Sequence, residues 1–196
     1  MQTQGSVSGN VPVTWSPCRP IHFMVDDTGA PEGFREHVVN VIEEVRAATG
    51  LVFVDDGVVQ EAASVSRGAF QPEVYGDRWA PALIRFADES MVADLAGHVA
   101  GVGGARTAVD ATSGVRHFVS GFAYLDVTLL EIPPVDDAEP AYLAVLRHEL
   151  GHMIGLGHVD DPTQLMFDAG NAVTTFQAGD MAGLANLGEG PCAPGV

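Results

Sequence analysis

Apolar positions divide this chain into short strand-like runs and three helical stripes. Ile21 to Val25 is mostly apolar and is closed by Asp26-Asp27-Thr28-Gly29, which predicts a strand followed by a turn. From Glu32 onward, Phe34, Val38, Val41, Ile42 and Val45 recur at helical spacing and stop at Gly50, a residue suited to a helix C-terminus. Leu51 to Val54 and Ala82 to Ala87 predict two more strands, with Asp55-Asp56-Gly57 and Asp88-Glu89-Ser90 as the turns behind them. Strand, helix and strand in that order imply a right-handed crossover. Between Gly97 and Val127 the chain turns glycine-rich, and two extended stretches are expected near His98 to Ala105 and His117 to Asp126.

Pro133-Pro134 and the acidic Asp136-Asp137-Ala138-Glu139 read as a linker into a second helix, which begins near Pro140 because proline suits a first helical turn. Leu143, Leu146, Leu150 and Met153 give that helix its apolar stripe. A third helix, Gln177 to Leu187, carries Met181, Leu184 and Leu187 three apart and stops at Gly188. Residues 1–17 show no periodic pattern and are expected to be a flexible lead-in, with residues 18–196 forming one domain of the α+β class.

Composition narrows the partners. Apolar residues make up 46% of the 196, with no run near the roughly 20 residues of a membrane span, so a soluble globular chain without a membrane partner is expected. Twenty-six acidic residues against 9 basic ones, all arginine, give a formal charge of -17, which repels nucleic acid and anionic lipid while favouring cations. Cys18 and Cys192 are read as one disulfide closing a very long loop, the alternative being two free thiols. Met1 to Asn10 has neither a basic n-region nor an apolar h-region, so it is not a signal peptide as it stands; a leader is expected to have been removed or left out.

The chemistry concentrates in His148-Glu149-Leu150-Gly151-His152-Met153-Ile154-Gly155-Leu156-Gly157-His158, which reads H-E-x-x-H-x-x-G-x-x-H. Residues four apart share a helical face about 5 to 6 Å apart at Cβ, so His148 and His152 suit one zinc ion. The third ligand must come from outside the helix. Gly155 permits the turn that brings His158 back. Three protein ligands leave a fourth position for water, as in a catalytic zinc site. Glu149, beside the first ligand, is the expected general base that activates metal-bound water and passes its proton to the departing amine. Each of these residues has a bland alternative as an ordinary core or surface group, but their joint spacing disfavours it.

At this motif the chain resembles the metzincin metalloproteases, and within them the matrixins, the matrix-metalloproteinase-like group. Leu165-Met166 stands at the matrixin distance from His158, so Met166 is similar to the Met-turn methionine that lies beneath the metal; plain core is its other reading. Ala178 to Gly188 resembles the last matrixin helix, and Trp15 to Phe53 resembles the start of such domains. Asp168 stands where astacin-like and serralysin-like metzincins carry a metal-reaching tyrosine, which favours the matrixin branch. The resemblance implies a twisted, mostly parallel five-stranded sheet with an antiparallel edge strand that binds extended substrate, and three helices. It also implies a secreted, extracellular zinc endopeptidase with one catalytic Zn2+, acting on protein or peptide substrates, expected as a monomer.

The chain departs from that family's pattern in lacking the histidine and aspartate spacing of a second, structural zinc. His98 and His117 read as solvated or core histidines. Ca2+ sites stay open at Asp26-Asp27, Asp55-Asp56, Asp136-Asp137 and Asp160-Asp161, which also read as turn residues. Cys18 in Ser-Pro-Cys-Arg-Pro superficially resembles a cysteine switch, but the strand at Ile21 follows too closely for it to reach the zinc. Phe167, Val173 and Phe176 are expected to wall an apolar specificity pocket, and Arg147 to be a solvated helix charge. Two rival functions are a zinc-stabilised protein-binding module without catalysis and a hydrolase of small amides or an exopeptidase; Glu149 argues against the first, and the missing basic anchor for a substrate terminus against the second.

Overall fold

The computed structural model describes residues 12–133 and 139–196. Its sheet is built from β1 (Thr14–Trp15), β2 (Ile21–Asp26), β3 (Phe53–Val58), β4 (Ala82–Ala87), β5 (Gly101–Val109) and β6 (Arg116–Asp126). The helices are α1 (Phe34–Thr49), a single turn α2 (Pro72–Tyr75), α3 (Tyr142–Ile154) and α4 (Ala178–Gly188). The strand order is β1-β6-β4-β2-β3, all parallel, and β5 pairs antiparallel with β6. Because β1 and β4 pair with different halves of β6, six strands form five ranks, in keeping with the expected α+β sheet.

The three long helices share one core with one face of the sheet. Ile21, Phe23 and Val25 alternate into it with Ile84, Phe86, Ala123 and Leu125, against Phe34, Val38, Leu146, Leu150 and Leu184 from the helices. Loops cover the opposite face over a smaller cluster of Leu83, Ala87, Val92, Leu95, Phe122 and Tyr124. With both faces covered, every residue of β4 is buried, which explains its unbroken apolar reading. The helix from Phe34 ends as the pattern indicated, with Gly50 at positive φ and its N–H on the Arg46 carbonyl.

Three boundaries differ from the sequence reading. Ordered chain reaches further toward the N-terminus than Cys18: Val13 and Trp15 are buried, β1 lies against β6, and Trp15 Nε1 donates to the Met153 carbonyl at 3.0 Å. The third strand is Phe53–Val58 rather than Leu51–Val54, so Asp55 and Asp56 lie within a strand and not in a turn. It is an outer rank, where charged side chains find partners: Asp55 pairs with Arg35 of α1, and Asp56 with His22 of β2 and Arg78 of the loop before β4. The extended stretch near His98 begins only at Gly101. Pro134 and Asp136-Asp137-Ala138 of the expected linker lie outside the described residues.

Cys18 and Cys192 form a disulfide, with Cα atoms 5.3 Å apart across 174 residues of sequence. Ser16 Oγ accepts the N–H of Ala193 at 3.0 Å beside it, so both ends of the described chain are tied to one place. Among the described residues, no helix is long and apolar enough to cross a membrane.

Candidate active site

α3 presents His148 and His152 one turn apart, and the helix stops at Gly155, whose φ of 122° turns the chain out. The N–H of Leu156 still reaches the Gly151 carbonyl at 2.9 Å, which closes the turn and starts the return to His158. The three Nε2 atoms then converge, 3.1 Å between His148 and His158, 3.1 Å between His152 and His148, and 3.0 Å between His152 and His158. Nδ1 of His148 donates to the Leu165 carbonyl and Nδ1 of His152 to the Leu156 carbonyl, each at 2.9 Å. That tautomer leaves their Nε2 lone pairs bare and aimed at the same point.

The bare Nε2 atoms of His148 and His152, 3.1 Å apart, repel one another unless a cation lies between them. Tetrahedral zinc with Zn–N of about 2.0–2.1 Å spaces its nitrogens about 3.3–3.4 Å apart, close to what is seen, so the donor set fits zinc. Burial lowers the His148 pKa and, reinforced by the neighbouring imidazoles, takes that of His152 down to about 4. Both shifts favour the neutral ring, the form that binds metal. Among the described residues this trio is the one cluster of three or more side chains placed to hold a metal ion.

Glu149 is buried between α3 and β5, and that burial pushes its pKa up to about 8, opposed by the Gly103 N–H. Gly101 and Gly103 make this proximity possible. A Cβ on Gly101 would come 2.8 Å from Glu149 Oε1, and one on Gly103 would overlap the Glu149 carbonyl. Above the trio opens a cleft of about 600 Å³, roofed by His98 to Gly103 of the β5 segment and walled by residues 167–171 and Val173.

Met166 is buried under α3, where a Cβ on Gly151 would come 2.7 Å from its Sδ. A residue the sequence reading passed over holds this turn. The buried Asp180 accepts N–H bonds from Leu165 at 2.8 Å and Met166 at 3.3 Å while completing a capping box with Gln177. The only sequence signal for it was an acidic residue three beyond Gln177 at the start of α4.

Other expectations meet different outcomes. Arg147 is no solvated charge: its side chain is 5% exposed and forks onto Glu44 and Glu139. Phe167 and Val173 line the cleft, but Phe176, partly buried, packs against the core. His98 stands at the cleft without joining the trio, and His117 is a buried sheet residue whose ring nitrogens find no partner among the described residues. Asp26 faces Arg85, and Asp161 caps its own turn through Thr163, so these members of the acidic pairs are occupied by the protein itself.

Residues 79–187, more than half of the chain, match the model of a peptidase family described as Matrixin. The match runs through β4, β5, β6 and α3 to Leu187 of α4. No curated protein matches the chain.

Proposed function

The chain belongs to the matrixin family of zinc-dependent endopeptidases, and from that membership we propose that it hydrolyses internal peptide bonds of extended polypeptides. The convergence of three imidazole nitrogens, with the tautomers of His148 and His152 fixed by main-chain carbonyls, carries the proposal. His148, His152 and His158 would hold the zinc. When bound, the ion supplies Lewis acidity, which polarises the scissile carbonyl and acidifies the attacking water.

The remaining work falls to the chain's own groups. Glu149 takes a proton from the attacking water and delivers it to the departing amine; a carboxyl pushed up to about 8 by burial is matched to a group that must both take and give near neutral pH. Among the described residues β5 has β6 on one side only, and an extended substrate segment pairs with its other edge above the cleft. Met166, held by Asp180, supports α3 from below the two helical ligands. We further place the protein outside the cell, where the Cys18–Cys192 bridge is stable.

The test is hydrolysis of an unstructured protein such as casein by zinc-loaded protein, abolished by a chelator and restored by zinc. A protein that holds one zinc ion yet leaves a diverse peptide library intact is a binding module instead.

A further inference from the structure

Arg147 precedes the first metal ligand on α3, yet the proposed chemistry makes no use of it. Its guanidinium is nearly inaccessible, while the two carboxylates it meets are open to solvent, 40% exposed for Glu44 and 56% for Glu139. Nε and one terminal nitrogen donate to Glu44 of α1 at 2.9 Å each, and the other terminal nitrogen donates to Glu139 at 2.9 Å. That same nitrogen also donates to the main-chain carbonyl of Thr174 at 3.1 Å. The planar fork thus joins four separate stretches of chain, a task a lysine's single ammonium cannot reproduce.

Thr174 lies next to Val173, the last residue lining the cleft wall. The wall is pinned at one end by Asn171, whose side-chain amide donates to the carbonyls of Pro162 and Gln164, and at the other by Phe176, packed against the core. Between these pins, the Thr174 bond is the one hydrogen bond among the described residues that ties the wall to α3. Ion pairs with carboxylates this open to solvent contribute little to stability, so stability alone does not account for a guanidinium at this place.

We propose that Arg147 is a positioning residue that fixes the distance from the zinc-binding helix to the cleft wall, and thereby selects which substrate side chain the cleft accepts. The inference rests on the peptidase reading of the cleft. Arg147 and His148 are consecutive on a rigid helix, so the Thr174 carbonyl is held at a set distance from the metal ligands. Loss of the tie frees Val173 to move away and loosens the fit for an apolar side chain without touching Glu149.

The experiment compares the native protein with Arg147→Met and Arg147→Lys, each zinc-loaded, by amide hydrogen exchange and by cleavage of a peptide set varied at one position. Arg147→Lys keeps a cation beside Glu44 and serves where Arg147→Met does not fold. The expected result is about tenfold faster exchange confined to residues 172–176, a KM raised about tenfold for the preferred peptide, kcat within about threefold, and a flattened order of preference. Unchanged exchange in 172–176, or faster exchange spread over α1 and α3 with the native order of preference intact, overturns the proposal. If the native protein cleaves no peptide, the peptidase reading falls, and the exchange measurement alone decides whether Arg147 holds the wall.

Discussion

Gly101 leaves room for the carboxylate of Glu149: a Cβ there would come within 2.7 to 2.9 Å of Glu149 Cγ, Oε1 and Cδ. The atoms in its way are the far end of a side chain, which can swing aside. At Gly103 the obstacle is the Glu149 backbone itself, fixed in α3. The two glycines therefore predict different failures. Gly101→Ala is expected to lose activity by about tenfold or more with stability nearly unchanged, because it displaces the carboxylate alone. Gly103→Ala should cost about 1–3 kcal/mol of stability as strand and helix move apart. Urea unfolding and peptide hydrolysis on both variants check this, and equal stability losses would refute the distinction.

Glu149→Gln keeps the shape of the side chain and removes its capacity to take a proton. The expected outcome is a full zinc complement with kcat lowered about 10²- to 10⁴-fold, the range associated with a positioned general base. Metal analysis and kcat on the same sample test it. A variant that also loses zinc would assign Glu149 to holding the metal.

Much of this site was legible in the sequence because its logic is local. The spacing from His148 to His158 specifies a helical pair, a glycine stop and a return within eleven residues, and helix geometry does the rest. Residues whose partners are distant in sequence were misread. Arg147 looks like a surface charge until Glu44, 103 residues away, is brought against it. Asp55 and Asp56 have turn-like composition, but Arg35, His22 and Arg78 hold them in an edge strand. Trp15 sits in an aperiodic stretch and is ordered by β6 and Met153. Nothing local to any of these positions records the pairing, which only the fold supplies.

Asp180 links the last helix to the histidine trio by a short chain of bonds. Its carboxylate takes the N–H of Leu165, whose carbonyl in turn takes Nδ1–H of His148. Asp180→Ala would leave the buried N–H groups of Leu165 and Met166 without acceptors, at about 1–3 kcal/mol each. Outer groups that orient a ligand change metal affinity about 10- to 100-fold. Zinc titration of the variant should show weakening of that order, and unaltered affinity would confine Asp180 to capping α4.

The Cys18–Cys192 bridge encloses nearly the whole described chain, and a closed loop of that size strongly restricts the unfolded ensemble. Replacing both cysteines by serine should remove about 2–4 kcal/mol and lower Tm by roughly 5–15 °C. Zinc content is expected to be unchanged, since no metal ligand is involved. Calorimetry of the double variant checks both statements.

Acid sensitivity should be traceable to Asp26. Its side chain is 2% exposed and meets Arg85, itself 9% exposed, at 2.6 Å. Burial by itself would raise the Asp26 pKa, but bonds from Thr28 and from the Glu61 N–H, together with the Arg85 charge, hold it below the ordinary value of 3.8. A carboxyl depressed in the folded state binds protons more readily unfolded, so its stabilisation is complete above the unfolded pKa and is lost as pH falls through the folded one. Asp26→Asn leaves the Arg85 guanidinium its bonds to the Phe86 and Glu61 carbonyls but removes its buried counter-charge, which at neutral pH should cost about 3–5 kcal/mol. At a pH below the folded value the native protein has itself lost the Asp26 charge, so the gap between the two proteins should narrow. Urea unfolding at pH 7 and in the acid range, on both, measures that gap. The same difference at both pH values would mean that the ion pair contributes nothing and that the amide variant is weakened for steric reasons alone.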